Sequence, residues 1–334
     1  MIGRRKYLWL LLLAAGLVMA GCKAAATPGD TGDTAVPPTE LAPLTLPALD
    51  AADLDGRPLN VVASTSIIGD VVAQVGGEAI DLTTLMRPGQ DPHSYTPGAQ
   101  ELTAVANADV IFINGWGLEE SLAQNLETIG EGVPVVAISA NIEPMPFGDN
   151  PDDASPNPHV WFSIPNVAQW VKNVEQVLSE LDPANSDIYA ANAAAYLADL
   201  DILKADAEAA LSAIPEENRF LVTNHDAFGY LARDYDLQVL GTVIPGMSTL
   251  AEPSANDLAA LIEVMEEHGI CTLFTETTVS DTLAQTVAAE LNSCDNVQVV
   301  KLYTGSVGPT GSGADSYVGM FRANVEAIAA GLQE

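Results

Sequence analysis

Four histidines occur in 334 residues. Three stand in loop-like motifs: His93 in "DPHSYTP", His159 in "NPHVWFSIP" and His225 in "TNHDAFGY". His93 lies between Pro92 and Pro97, which stiffen its loop. Neutral imidazole is a nitrogen donor for divalent metals, and Asp315, at the start of the last predicted helix, adds a hard oxygen. Three imidazoles and one carboxylate make a four-ligand set that suits a closed zinc site and can also hold manganese. Asp315 has a second reading as a plain helix N-cap. The fourth histidine, His268 in "VMEEHGI", falls in the last turn of a predicted helix before Gly269. A cationic ring there complements the helix dipole, and His268 is given no ligand role.

The elements that must position these residues are legible as alternating short apolar runs and amphipathic stretches. "LNVVAS", "IDLTTLM", "DVIFIN" and "VPVVAIS" read as buried strands, with "IIGDVVAQVGG" as a glycine-ended helix between the first two. "RFLVTN", "LQVLGTVI", "CTLFTET" and "VQVVKL" repeat the pattern later, separated by helices near 226–236, 254–268 and 281–292, with a last helix from about Asp315 to Leu332. Strands alternating with helices predict parallel sheets. Between the two sets, Pro165 opens one helix. Asp182 and Pro183 open a second, which runs to about Ile214 with Tyr196, Leu200, Leu203, Ala207, Leu211 and Ile214 as its apolar stripe. About thirty residues at 1.5 Å each make a rod of roughly 45 Å, long enough to join two lobes.

The fold class expected is therefore α/β, with two similar parallel-sheet lobes bridged by one long helix and one cleft between them. The N-terminal lobe spans 59–182, the linking helix 183–215 and the C-terminal lobe 216–334. Ligands in open α/β sheets gather beyond the carboxyl ends of the strands. All three loop histidines lie where that edge would be.

The ends and the charge frame this reading. "MIGRRKYLWLLLLAAGLVMAGC", residues 1–22, has a basic start, a short apolar run and small residues before Cys22, the layout of an export signal. That run is too short for a confident membrane span. Residues 23–58 are rich in Ala, Thr, Pro, Gly and Asp and are expected to form a flexible tether. Export makes an oxidising compartment the expected setting, so Cys271 and Cys294 are expected to pair. Each closely precedes a predicted strand, and parallel neighbours linked by one helix bring their starting ends together. The charge of −33 comes from 45 acidic residues against 12 Lys and Arg, scattered along the chain. Nucleic-acid partners, which need clustered basic groups, are excluded on that ground.

From about Leu59 to its end the chain resembles the metal-specific solute-binding proteins of bacterial ABC importers. The resemblance rests on the three histidine motifs together with "ADVIFINGWGLE" (108–119), "LFTETTVSDTLAQTVAAE" (273–290) and "ADSYVGMFRANVEAI" (314–328). "VMAGC" likewise resembles a bacterial lipobox, which implies that Cys22 carries lipid and holds the protein outside the cytoplasm at the membrane. The family resemblance implies His93, His159, His225 and Asp315 as ligands. It also implies two lobes bridged by one helix, and delivery of the ion by a monomer to a permease with its ATPase. Several zinc-specific members of that family carry a long histidine-rich acidic loop between the first two ligands. Here "NIEPMPFGDNPDDASPN" (141–157) is short and lacks histidine. Manganese-binding members commonly have Glu at the third position, where this chain has His225. Zinc is the expected cargo, with manganese or iron as the alternative.

Two other classes are weighed. A zinc hydrolase needs a coordination position open to water and a general base. The chain has no HExxH motif, and four protein ligands would close the site. Glu276, ending "CTLFTET", is the obvious spare carboxylate, read as a hydrogen-bonding support for a ligand. A surface adhesin is the other class, and no motif separates it from delivery.

Overall fold

Two residue patterns build the first sheet: β-branched runs that form strands and, at Gly76 and Gly77, a glycine pair that ends the first helix. In the computed structural model, which describes residues 41–122, 132–147 and 155–333, β1 is Leu59–Ala63, α1 Ser66–Gly76, β2 Ile80–Thr84, α2 Ala99–Ala106, β3 Val110–Ile113 and β4 Val135–Ala137. The strands lie in the order β2-β1-β3-β4, all parallel. Thr65 caps α1 by accepting the Ile68 N–H at 3.1 Å. A short antiparallel pair follows, β5 (Pro146–Phe147) and β6 (Ser155–Pro156).

Helix α3 (Ile164–Leu181), with proline in its first turn, and α4 (Ser186–Ser212) come next. At 1.5 Å per residue α4 is a rod of ~40 Å. Its buried positions, Tyr189, Ala193, Tyr196, Leu200, Leu203, Ala207 and Leu211, recur every three or four residues. This stripe lets α4 pack against α1, α3 and the last helix of the chain, so it touches both halves. A single turn of tighter helix, Pro183–Asn185, leads into it, and Asp182 accepts from Asn185 and from the Tyr189 hydroxyl.

The second sheet consists of β7 (Phe220–Thr223), β8 (Gln238–Thr242), β9 (Thr272–Glu276) and β10 (Gln298–Leu302). With them come α5 (Gly229–Tyr235), α6 (Ala255–His268), α7 (Thr282–Glu290) and α8 (Tyr317–Leu332). Its order is β10-β9-β7-β8, all parallel. Counted from each lobe's own first strand, both sheets have the same order: second, first, third, fourth. One apolar core runs through the helices between them and includes Trp161, Trp170, Leu200, Tyr317 and Phe321. A fully buried Leu or Phe side chain such as Leu200 or Phe321 contributes about 1.5–3 kcal/mol. Cys271, just before β9, is disulfide-bonded to Cys294, in the loop before β10.

One expectation needs correction. Residues 41–58 are not a free tether. Leu44 O accepts from Asn141 N and Leu181 O accepts from Ala52 N, both at 2.8 Å, while Leu46, Leu49, Ala52 and Leu54 pack on the core. The leucines that recur from Leu41 onward supply apolar surface that the preceding Ala/Thr/Gly/Asp stretch lacks. The expected export signal, Cys22 and the first part of the tether lie outside the described residues. Among the described residues no helix is long and apolar enough to cross a membrane.

Candidate metal centre

In a sheet ordered second, first, third, fourth, the connections leave in opposite directions from the first and third strands, and a crevice opens between their carboxyl ends. In the second lobe those strands are β7 and β9. His225 follows β7 by two residues and Glu276 is the last residue of β9. In the first lobe the strands are β1 and β3. The crevice there is filled by buried Glu119, which accepts from Ser64 Oγ at 2.6 Å and from Asn114 N at 2.7 Å. Burial, opposed by these bonds, raises the Glu119 pKa. Asn114 in turn donates to Pro158 O at 2.8 Å, and Tyr230 OH donates to Asn157 O at 3.0 Å. The segment carrying His159 is thus held by both lobes.

His93 arrives on the loop after β2, which is folded back by Tyr95 OH donating to Leu85 O. The three rings converge. His159 Nε2 lies 3.3 Å from His93 Nε2 and 3.2 Å from His225 Nε2, and the residues are 3%, 1% and 2% exposed for His93, His159 and His225. They are the group of metal-ligating side chains that meets in one place among the described residues.

Each ring is oriented from behind. His93 Nδ1 donates to Glu120 Oε1 at 3.2 Å, His159 Nδ1 to Asn157 Oδ1 at 2.9 Å, and His225 Nδ1 to Glu276 Oε1. With a hydrogen on each Nδ1, every Nε2 turns its lone pair toward the common centre, as metal-binding histidines require. The backbone N–H of each histidine is also accepted by a side-chain oxygen: Asp91, Asn157 and Glu276 respectively, at 3.1, 3.0 and 3.1 Å. Asp91, Trp161, Glu276, Thr278 and Gly305 complete the walls of a cavity too tight for a water molecule.

Burial, then the neighbouring His225, lowers the pKa of His93. Burial, then His225 and His93, holds His159 well below the ordinary range. Burial also opposes the cation of His225, but the attraction and hydrogen bond of Glu276 outweigh it and raise that pKa. The other oxygen of Glu276, Oε2, accepts from Thr304 Oγ1 at 2.5 Å.

Asp315 is not with the histidines. It is exposed, and its Oδ2 accepts from Gly311 N at 2.7 Å. The helix start is capped instead by Ser316, whose hydroxyl accepts from Gly319 N. The expected four-ligand closure is therefore corrected to three convergent imidazoles. One of the two sequence arguments against a hydrolase falls with it; the other, the missing HExxH, stands. Asp315→Ala is expected to leave ion affinity within about twofold of wild type by titration calorimetry, since an exposed charge outside the cavity is screened. A tenfold loss would return Asp315 to the site.

His268 is exposed at the end of α6, with its ring 5.3 Å from Phe220. It lines a roomier cavity at the opposite edge of the second sheet, where no group of three metal-ligating side chains forms among the described residues. Sequence reasoning missed Glu120, Asn157 and Asp91. A signal for two of them was present: "DPH" and "NPH" each place an acceptor two residues before a histidine, the spacing of an Asx turn.

Comparison with known proteins identifies the family of the chain. The profile of the family described as zinc-uptake complex component A, periplasmic, matches residues 61–331. The chain is 31% identical over 281 residues to the manganese-binding lipoprotein MntA of Halalkalibacterium halodurans, covering 84% of this chain and 90% of that protein. It is 33% identical over 285 residues to the zinc-binding protein TroA of Treponema pallidum, covering 85% and 91%. The solved structure of periplasmic zinc-binding TroA from Treponema pallidum matches with a TM-score of 0.76 at 31% identity, over 84% of this chain and all of that one. The chain belongs to the zinc-uptake component A family, the metal-specific solute-binding proteins of bacterial ABC importers.

Proposed function

We propose that the protein captures one zinc ion outside the cytoplasm through His93, His159 and His225 and delivers it to the permease of an ABC importer driven by its ATPase. The observation that carries this reading is the convergence of three buried imidazoles, with His159 Nε2 3.2–3.3 Å from the Nε2 atoms of the other two and each ring backed at Nδ1. Two nitrogens bound tetrahedrally at about 2.0–2.1 Å from zinc stand about 3.3 Å apart. The set contains no carboxylate, and manganese favours more oxygen ligands than three imidazoles supply. The relatives named above bind zinc in one case and manganese in the other, so their names do not decide the cargo. What favours manganese as the second reading is the pair of carboxylates, Asp91 and Glu276, that border the cavity. Glu276 acts in this proposal as the group that orients His225, and Cys22 as the lipidated residue that keeps the protein at the membrane.

The test is metal analysis of protein purified without added metal, followed by equilibrium competition at matched free concentrations of zinc and manganese. One zinc per chain, not displaced by manganese, is expected. Manganese displacing zinc from the wild-type protein would overturn the choice of ion.

A further inference from the structure

The loop carrying His93 is tied to the other lobe on the N-terminal side of that residue by two bonds. Thr249 Oγ1 donates to Asp91 Oδ2 at 2.6 Å, and Gly89 N donates to Ser306 Oγ at 2.8 Å. Asp91 is also bonded within its own loop, accepting from His93 N through Oδ1 and from Ser94 Oγ through Oδ2. The segment that holds Thr249 is fastened beside the third histidine, because Gly246 O accepts from Asp226 N at 3.1 Å. A continuous path therefore runs from His93 through Asp91, Thr249 and Gly246 to the residue following His225. Asp91 borders the cavity, yet its oxygens do not join the three convergent nitrogens.

This arrangement bears on how an ion leaves. His93 belongs to the first lobe and His225 to the second, so a bound ion is released when the His93 loop parts from the second lobe. Of the two bonds that hold that loop across the lobes, the one from Thr249 has a carboxylate acceptor, and charge-assisted bonds are the stronger kind. Resting on the metal-site reading above, we propose that Asp91 is a positioning residue: bonded to Thr249 across the cleft, it latches the His93 loop over the ion and sets the ion's residence time without ligating it. Differences among related binding sites fall mainly in dissociation rates, which is where a latch acts.

The experiment uses full-length protein loaded with zinc and chased with excess chromophoric chelator in a stopped-flow instrument. Thr249→Val removes the donor at nearly constant volume and touches no histidine. It is expected to raise the dissociation rate about tenfold, the worth of one charge-assisted bond, with the association rate within about twofold of wild type. Thr249→Ser restores the donor and is expected to restore slow release, a rescue that a packing role for the threonine methyl would not produce. Asp91→Asn, which keeps an acceptor oxygen but loses the charge, is expected to fall between. In parallel, cobalt(II) replaces zinc as an optical probe, and its visible absorption is expected to be the same in wild type and both Thr249 variants. A dissociation rate for Thr249→Val within twofold of wild type overturns the latch. A changed cobalt spectrum in Asp91→Asn also overturns it, because Asp91 would then be a ligand. Wild-type protein that takes up neither ion would instead sink the metal-site reading on which the latch rests.

Discussion

His159→Ala is expected to lower zinc affinity by about two and a half to four orders of magnitude, the share of one ligand in three if the site binds with the about 10–16 kcal/mol typical of structural zinc sites. His159 is the central member of the triad, with its Nε2 within 3.3 Å of both other Nε2 atoms, and it is 1% exposed. Folding should survive the change. Asn157 Oδ1 keeps the backbone N–H of residue 159 as a donor, and the segment stays tied by Asn114 and Tyr230. His93→Ala and His225→Ala are expected to match it. His268→Ala, at an exposed helix end, should stay within about twofold of wild type, as surface changes usually do. Competition with a chelator of known affinity measures all four. A His159→Ala protein that binds within tenfold of wild type would remove the triad as the site.

The second large effect is on pH. Zinc affinity is expected to fall about tenfold per pH unit on the acid side of neutrality, a slope of one proton rather than three, because a ligating imidazole must be neutral. Burial and imidazole neighbours lower the pKa of both His93 and His159, so each stays neutral to a lower pH than a free imidazole and gives up fewer protons to ion binding. His225 holds its proton above that range through Glu276, despite its burial. Ion binding therefore displaces one proton wherever the pH lies below the folded-state pKa of His225. Folding without the ion obeys the same asymmetry. Below roughly pH 6.5 the unfolded chain takes up protons that folded His93 and His159 refuse, so their contribution is lost as pH falls. The His225–Glu276 pair works in the opposite sense: its contribution is full below that pH and fades as pH rises through the folded pKa of His225. Calorimetry in two buffers of different ionisation enthalpy counts the protons released. A count near three, or near zero, would show that these environments are misjudged.

Much of this arrangement was legible in the chain because it is written in local patterns. The eight strands of the two sheets appear as β-branched runs, and the long helix shows its stripe from Tyr196 to Leu211 without ambiguity. His93 and His225 stand at the ends of legible strands and His159 just before a legible helix, and the family resemblance adds their reading as ligands. Helix α2 was not legible, since Val105 is its one buried residue and no apolar stripe marks it. Asp315 misled for a physical reason: aspartate at a helix start suits both capping and coordination, and only tertiary placement shows it bonded to Gly311 instead. Near the histidines the cavity wall presents Gly305, which has no side chain to advertise a role. Glu120 was equally silent, because its partnership with His93 depends on how a loop and a helix start of one lobe meet across 27 residues of chain.

The three converging rings are separated by 66 residues of chain at each step. Motifs whose ligands lie a few residues apart can begin to chelate while the backbone is still disordered. Here each ring closure in a disordered chain spans a long loop, and its entropy cost grows with that length. A nascent or unfolded polypeptide thus offers the ion a weaker chelate than the folded one, which favours loading after folding. The ion then discriminates between states: it stabilises the native protein by mass action and leaves the unfolded chain almost untouched. Ion-loaded molecules should accordingly resist proteases better than empty ones, so that the surviving population is enriched in those that hold the ion.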